Sequence, residues 1–199
     1  MSEILYPINE YFLSIQGEGT HTGKLAFFIR FGQCNLRCKF CDSKDTWTNY
    51  KYQKHTTLLK KLQRIKGKTN FLILTGGEPT IHNLYFLIED AKKLGFYIAV
   101  ETNGIENPDW LNMIDWLTIS PKTKISKTML QKANELKFVI TDKKSWQFML
   151  NFMPFSPTYL MPVDNNKKVA NKIVKWISNS PYSNILKLGI QIHKVYKFK

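Results

Sequence analysis

Apolar runs of strand length alternate with helical patterns along the whole 199-residue sequence. Such alternation is typical of repeated strand–helix units, in which parallel strands form a sheet and the helices cover it. We count about six units, and the sequence contains no internal repeat, low-complexity tract or linker that would separate a second domain. The sequence therefore predicts an α/β fold with a mainly parallel sheet, organised as a single domain over residues 1–199.

The predicted units can be placed along the chain. We expect strands at 25–31, 71–74, 97–101, 116–119, 136–140, 159–161 and 188–192, and helices at 57–65, 84–93, 108–113, 127–134, 145–152 and 167–178. Six strand–helix units are fewer than the eight that close a complete barrel. We therefore predict a partial, open TIM-like barrel whose gap is covered by the N-terminal segment, the C-terminus or a second subunit.

Polar clusters follow four of the predicted strands, at residues 75–79, 101–104, 120–122 and 161–164. In parallel sheets the carboxyl ends of the strands form the rim where ligands bind. We therefore expect the chemistry of the protein to gather on this one rim.

All three cysteines fall in one stretch, Cys34-Asn-Leu-Arg-Cys38-Lys-Phe-Cys41, which we call the cysteine loop (residues 34–41). Three thiolates at these spacings can converge on one metal site, whereas a disulfide would leave the third cysteine unused. A structural zinc would need a fourth ligand, and the candidates are His21, His55, His82 and His193. An iron–sulfur cubane normally has four cysteine ligands, so three leave one iron open to a small molecule. The spacing favours such a reactive cluster and leaves zinc as an alternative.

The formal net charge is +14, with 29 lysines and arginines against 15 aspartates and glutamates. Only Arg30, Arg37 and Arg64 are arginines, and planar recognition of bases and phosphates favours arginine over lysine. We interpret the charge as a solvated lysine surface that could attract an acidic redox partner. Nucleic-acid binding is not expected.

The sequence also predicts a compartment. No apolar run is long enough to cross a bilayer, and the first residues lack the basic start and apolar run of a signal peptide. Three clustered thiols without a disulfide framework fit a reducing environment. We expect a cytoplasmic protein without a membrane partner.

The cysteine loop and the ends of the first predicted strands resemble those of radical S-adenosylmethionine enzymes. More narrowly, the sequence is similar to the 7-carboxy-7-deazaguanine synthases in segments spread over nearly the whole chain. These segments are Ser14-Ile-Gln-Gly-Glu-Gly19, Cys41-Asp-Ser43 with Thr46-Trp47 nearby, Thr75-Gly-Gly-Glu-Pro79, Glu101-Thr-Asn-Gly104, Ser120-Pro-Lys122 and Gln191-Ile-His193-Lys194. The cysteine triplet indicates the superfamily, and the Gln-Gly-Glu-Gly segment with the Asp-Ser pair indicates the family.

The resemblance implies a lyase that converts 6-carboxy-5,6,7,8-tetrahydropterin to 7-carboxy-7-deazaguanine, with loss of ammonia, in the synthesis of queuosine and related 7-deazapurines. It implies a 4Fe-4S cluster on Cys34, Cys38 and Cys41, whose open iron binds S-adenosylmethionine. Reduction of the sulfonium would release a 5'-deoxyadenosyl radical, which removes hydrogen from the carboxylate-bearing ring carbon. An electron donor of the flavodoxin or ferredoxin type and a homodimer are also expected.

The resemblance further assigns residues to the site. Contacts to the cofactor are expected from Phe40, Cys41, Asp42, Gly77, Glu78, Ser120, Pro121, Lys122 and Met161. Contacts to the pterin substrate are expected from Ile15, Gln16, Gly17, Glu18, Arg30, Thr75, Glu101 and His193. Ser43 is expected to place its hydroxyl on Mg2+, which prefers oxygen ligands and is often completed by an anionic substrate. No conventional acid or base is expected to drive the first step.

Two positions depart from the family pattern. Many relatives have threonine where this chain has Ser43, although the hydroxyl is kept. Relatives commonly have proline before the glutamine of the C-terminal segment, whereas Gly189 and Ile190 precede Gln191 here. This leaves the substrate contacts of the C-terminal segment open.

Two other functions remain as alternatives. A glycyl-radical-enzyme activase has a similar cysteine loop, and its trailing Asp-Thr-Trp is echoed at Asp45-Thr46-Trp47. A zinc-stabilised, lysine-rich nucleic-acid-binding module would use the three thiols without radical chemistry. A protein substrate would require a docking groove rather than a closed pocket, and a zinc protein would be colourless.

Overall fold

A computed structural model of the protein describes residues 3–199 and contains one nine-stranded sheet within that range. The strands are β1 (Leu5–Ile15), β2 (Leu25–Phe31), β3 (Lys51–Lys54), β4 (Phe71–Gly76), β5 (Tyr97–Thr102), β6 (Trp116–Ile119), β7 (Glu135–Ile140), β8 (Thr158–Pro162) and β9 (Leu186–Leu188). Their order is β3-β1-β2-β4-β5-β6-β7-β8-β9. The predicted α/β fold with an open, mainly parallel sheet is confirmed.

Six α-helices occur within the described residues, and most of them cross between parallel strands. They are α1 (His55–Ile65), α2 (Tyr85–Lys93), α3 (Lys127–Lys132), α4 (Lys143–Leu150), α5 (Lys167–Ser178) and α6 (Ile192–Tyr196). Local capping starts three of them, because Ser126, Asp142 and Asn166 each accept a hydrogen bond from a backbone N–H three residues later. The sequence placed these three helices to within about two residues, the usual error of a boundary.

Three elements differ from the predictions. The N-terminal strands β1 and β3 were not predicted; β1 pairs antiparallel with β2 and β3 and carries Pro7, a residue that weakens a strand signal. The segment predicted as a helix over 108–113 is a 3-10 helix, Asp109–Met113. The residues at 1 and 2, included in the predicted domain, lie outside the described range.

The predicted strand at 188–192 is also wrong. β9 ends at Leu188, and α6 begins at Ile192. The side chain of Asn165 explains the break, because its amide oxygen accepts from the backbone N–H of Gln191 and its amide nitrogen donates to the Gln191 carbonyl, at 3.0 Å each. These two bonds satisfy the backbone of Gln191 without a strand partner. His193, which directly follows the predicted strand, is therefore on a helix.

Alternation along the strands sorts side chains between two sides of the sheet. Leu72, Leu74, Ile98 and Val100 belong to the large core formed with the helices. A smaller inner cluster contains Ala26, Phe28, Phe71, Ile73 and Ala99. The residues that follow this inner cluster at two-residue spacing are Arg30, Thr75 and Glu101. The inner side is thus apolar near the starts of the strands and polar near their carboxyl ends.

The narrow end of the inner side is filled by aromatic rings. The ring of His21 lies 5.0 Å from Phe71, 5.8 Å from Tyr97 and 4.5 Å from Trp116, measured between centroids. These residues open three neighbouring strands, so the floor of the partial barrel is closed and the site lies at the other end. Among residues 3–199 no helix has the length and apolar character needed to cross a bilayer.

Candidate functional site

A large pocket opens at the carboxyl ends of the parallel strands, as the polar clusters predicted. Every predicted site residue except Pro121 lines it, and Pro121 is buried beside the pocket wall. The structure therefore brings the predicted cofactor and substrate residues into one space. Their individual roles stay predictions.

The cysteine loop follows β2 and is anchored to its neighbours by backbone bonds. The N–H of Gln33, at a positive φ of 65°, donates to the Thr46 carbonyl at 2.8 Å, and the Gln33 carbonyl accepts from the N–H of Glu78 at 2.8 Å. The side chain of Asn103 donates to Asn35 at 2.8 Å. The loop is thus held by the ends of β4 and β5.

Cys34, Cys38 and Cys41 are all partly exposed and all line the pocket. Burial raises the pKa of the Cys34 and Cys38 thiols, and a bound metal centre would favour their thiolate forms. Among residues 3–199 no group of three ligating side chains is arranged around a single ion. The three thiols on one pocket wall are the ligand type and number expected for a cubane with one open iron.

The glycine pair after β4 is required by packing. A Cβ on Gly77 would overlap the carbonyl oxygen of Gln33, and a Cβ on Gly76, at φ 120°, would overlap the backbone of Phe31. A side chain at position 77 would push Gln33, and with it the start of the cysteine loop, away from the end of β4, and one at position 76 would push β2 away from β4. Glycine at both positions therefore permits the close approach of these segments.

Glu78 is a buried clamp at the ends of β4 and β5. Its side chain accepts from the N–H of Thr80 at 3.1 Å, from the hydroxyls of Thr80 and Thr102 at 2.6 Å each, and from the N–H of Asn103 at 2.8 Å. The residue is 1% exposed. These bonds fix the pocket wall that faces the cysteine loop.

The strand-end segment 120–122 provides a half-buried lysine. Lys122 Nζ donates to the carbonyl and the hydroxyl of Ser120, at 2.9 and 2.5 Å, and lies 5.8 Å from the ring centroid of Phe40. Burial lowers the pKa of Lys122 to about 8. Phe40 is 40% exposed and lines the pocket.

Arg30 and Ser43 meet on the opposite side of the pocket. Arg30 Nη1 donates to Ser43 Oγ at 3.1 Å, while Arg30 Nε pairs with Glu10 at 3.1 Å. Ser43 Oγ in turn donates to Asp42 at 3.2 Å. A hydroxyl beside a carboxylate suits Mg2+, but the metal would have to displace the arginine from the Ser43 oxygen.

A buried ion network occupies the centre of the pocket. Lys137 Nζ donates to Glu18 Oε2 at 2.9 Å and to Glu101 Oε1 at 2.8 Å. Burial disfavours the ionised form of Glu101, but the charge of Lys137 and the hydrogen bonds from Lys137, Gln16 and Thr75 outweigh it and lower the pKa of Glu101 to about 2. Burial would lower the pKa of Lys137, but the charges of Glu101, Glu18 and Glu135 raise it above its ordinary value.

The C-terminal segment reaches across the mouth of the pocket. The N–H of Ile192 donates to the Gly17 carbonyl at 3.1 Å, and Gln191 Nε2 donates to Glu18 at 2.5 Å. Lys194 pairs with Asp42 at 3.1 Å. The predicted gap in the barrel is therefore covered by this segment together with the N-terminal strands.

Packing also explains why residue 189 is a glycine. A Cβ at this position would overlap the sulfur of Met161, a residue predicted to contact the cofactor. The departure from the family pattern at 189–190 therefore still brings Gln191 and His193 to the pocket.

Sequence reasoning missed several pocket residues, chiefly Lys137, Gln191, Lys194 and Asn103. Lys137 lies inside the apolar run of β7, two residues after Glu135. Two charged residues at this alternate spacing in an apolar strand were the sequence pattern that could have indicated a polar site. Gln191 and Lys194 flank His193 in a segment already noted for its family resemblance. Asn103 stands two residues after Glu101, in another segment already noted for its family resemblance.

Comparisons with known proteins agree with this geometry. The model of the Radical SAM superfamily matches residues 28–120. A 7-carboxy-7-deazaguanine synthase from Synechocystis is 35% identical, with 98% of this chain and 95% of the relative covered, and one from Buchnera aphidicola is 29% identical, with 98% and 99% covered. The crystal structure of QueE from Escherichia coli superposes with a TM-score of 0.79 at 26% identity and covers 94% of each chain.

Proposed function

The chain belongs to the 7-carboxy-7-deazaguanine synthase family of radical SAM enzymes, and we propose that it converts 6-carboxy-5,6,7,8-tetrahydropterin to 7-carboxy-7-deazaguanine with release of ammonia. It is a radical SAM lyase with a role in 7-deazapurine and queuosine biosynthesis. The observation that carries the proposal is the shared pocket, in which a three-cysteine loop faces a fixed set of carboxylates, amides and an arginine.

The family implies a 4Fe-4S cluster and S-adenosylmethionine. Cys34, Cys38 and Cys41 would hold the cluster. When bound, the two groups supply a 5'-deoxyadenosyl radical that removes a hydrogen atom from the substrate. The protein holds the reacting carbon near the radical and excludes water.

We assign the cofactor's surroundings to residues on two sides of the cysteine loop. Phe40 would contact the adenine with its ring, and Lys122 with Ser120 would meet the ribose and carboxylate side, as the half-buried ammonium group suits an anion. Gly77 would present backbone groups to the amino end. Asp42, Glu78, Pro121 and Met161 complete the predicted set; Glu78 would act by fixing the strand ends, since its four hydrogen bonds are made within the protein.

The pterin substrate would lie over the central ion network. Glu18 and Glu101 would accept hydrogen bonds from its amino and ring N–H groups, because a carboxylate complements that pair of donors. Gln16, the exposed backbone at Ile15 and Gly17, and Thr75 would contact the remaining edge. Arg30 would pair with the substrate carboxylate, and His193, whose ring packs on Gly17, would border the ring.

We further propose Mg2+ beside Ser43, completed by the substrate carboxylate. The support is the pair of oxygen donors from Ser43 and Asp42. Arg30 contacts the same hydroxyl, so the substrate carboxylate, arginine and metal would form one charged group.

Two partners are proposed from charge and family resemblance. An acidic electron donor of the flavodoxin or ferredoxin type fits the net charge of +14, and electron delivery should then slow steeply with added salt. A homodimer is proposed from the family resemblance alone, and the oligomeric state in solution tests it.

The decisive experiment uses anaerobically reconstituted protein with 6-carboxytetrahydropterin, dithionite and S-adenosylmethionine. We expect the deazapurine product by absorbance and mass, and its loss in a Cys38→Ala variant. Absence of product from wild-type protein that carries an intact cluster would contradict the proposal. The full-length similarity favours this synthase over an activase or a zinc module, and a brown, iron-containing protein would exclude zinc.

A further inference from the structure

Lys137 lies on the inner side of β7 and was assigned no role by the family resemblance. We propose that Lys137 is a positioning residue, which holds Glu18 and Glu101 together as a pair of ionised hydrogen-bond acceptors for the N–H groups of the substrate ring. The inference rests on the proposed function, because the substrate class is taken from it.

The geometry ties two distant parts of the chain to one ammonium group. Glu18 follows β1, whereas Glu101 lies near the end of β5. Both carboxylates are within 2.9 Å of Lys137 Nζ, and the lysine side chain is only 7% exposed. Since the two carboxylates are more exposed than the lysine, at 18% and 23%, they are the groups that a ligand in the pocket meets first, and the lysine acts through them.

The carboxylates of Glu18 and Glu101 can each accept further hydrogen bonds. An ionised carboxylate has about four acceptor positions. Within residues 3–199, Glu101 accepts from Gln16, Thr75 and Lys137, and Glu18 accepts from Gln191 and Lys137. Both residues line the pocket, so their remaining acceptor positions are available to a ligand that carries several N–H donors.

The charges around the network explain why a lysine is needed. Two carboxylates close together disfavour each other's ionisation, and one of them takes up a proton unless a cation lies between them. A protonated carboxyl would offer a donor where the pterin also offers a donor. The other charged groups that face Lys137 are Glu135 on its own strand and Lys122 from the next strand end, and His193 packs on Gly17 nearby.

The same strand also fixes the loop that carries Glu18. Glu135 Oε2 accepts from the N–H of Thr20 at 2.8 Å, and Glu135 Oε1 accepts from Thr118 Oγ1 at 2.9 Å. Glu135 therefore secures the backbone of this loop. Lys137, by contrast, contacts the carboxylates of Glu18 and Glu101 themselves.

The test compares Lys137→Met with Lys137→Arg, using Lys143→Met on the exposed start of α4 as the control. Substrate affinity and steady-state kinetics are measured on the anaerobically reconstituted enzyme between about pH 6 and pH 9. We expect Lys137→Met to raise KM about tenfold or more at pH 7, with a smaller change in kcat, and the loss to shrink as pH rises and the second carboxylate ionises. Lys137→Arg should keep the pH dependence of the wild type, and Lys143→Met should match it throughout.

An infrared pH titration of the ligand-free full chain provides a readout that does not depend on turnover. Lys137→Met should show a protonated carboxyl at neutral pH that is absent from wild type and from Lys137→Arg. The inference is overturned if this band is missing and the loss of affinity is the same at every pH, or if Lys137→Met binds like wild type. Failure of the proposed function would appear differently, as absence of deazapurine from wild-type enzyme.

Discussion

Replacing Glu78 by glutamine tests whether the clamp at the ends of β4 and β5 stabilises the site. The wild-type carboxylate accepts four hydrogen bonds, three on Oε1 and one, from the N–H of Asn103, on Oε2. Glutamine keeps one oxygen, and its NH2 group must then face a donor. The substitution removes one charge-assisted bond and leaves buried donors unpaired.

The magnitude follows from these two losses. A hydrogen bond to a charged group contributes about 1.5–3 kcal/mol, and an unpaired buried donor costs about 1–3 kcal/mol. Relief from burying a charge offsets part of this, so we expect unfolding free energy to fall by about 3 kcal/mol. For a chain of this size that corresponds to a decrease in Tm of about 6–12 °C.

The assay is thermal and urea unfolding of Glu78→Gln beside wild type and the exposed control Glu106→Gln. We also expect weaker binding of S-adenosylmethionine by the reconstituted variant, because Asn103 is tied both to Glu78 and to Asn35 of the cysteine loop. A change of less than about 0.5 kcal/mol, the usual range of a surface substitution, would refute the reasoning.

The remaining predictions concern three other positions. Gly77→Ala should displace the cysteine loop and lower the amount of iron bound per chain after reconstitution. The control Gly67→Ala, whose Cβ meets nothing within 4 Å, should leave the iron content unchanged. Equal iron contents in the two variants would contradict the packing argument. Because the pKa of Glu101 is lowered from 4.5 to about 2, its ion pair contributes stability that is present above pH 4.5 and is lost as the pH falls towards 2. Glu101→Gln should therefore unfold with a shallower acid dependence in urea titrations, and an unchanged slope would count against the pair. Ser43→Ala should need more Mg2+ for half-maximal activity, and an unaltered magnesium response would remove the serine from the metal site.

The parallel part of the fold could be predicted because its strands are short, continuous apolar runs separated by helices with clear caps. β1 and β3 were missed because these antiparallel strands carry mixed polar and apolar residues and gain their order from pairing with each other and with β2, which single-sequence patterns do not contain. The break between β9 and α6 was missed for a similar reason. It depends on Asn165, a residue 26 positions from the backbone that it satisfies.

The site was predictable wherever its residues stand in short segments after strands, as in the cysteine loop and the Gly-Gly-Glu-Pro turn. Lys137 was not found because a lysine in an apolar strand resembles an exposed position, and only the pairing of strands shows which side it faces. Ser120 donates its hydroxyl to the Lys137 carbonyl at 2.8 Å, so β7 is in contact with the same strand end that carries Lys122. The spacing of residues along the sequence does not reveal this contact between β7 and Ser120.

The inner side of the sheet shows why the chemistry lies where it does. Phe28, Ile73 and Ala99 are followed two residues later by Arg30, Thr75 and Glu101, and β7 adds Lys137, whose ammonium group reaches Glu101. Because side chains alternate along a strand, these polar residues lie on the same side of the sheet as the apolar residues that precede them. The polar residues of β2 and β4 stand side by side because the two strands pair Arg30 with Thr75. A shift of one residue in this pairing would turn the charged side chains into the core formed with the helices, where an unpaired charge is strongly disfavoured. The register that the core requires is therefore the same register that assembles the site.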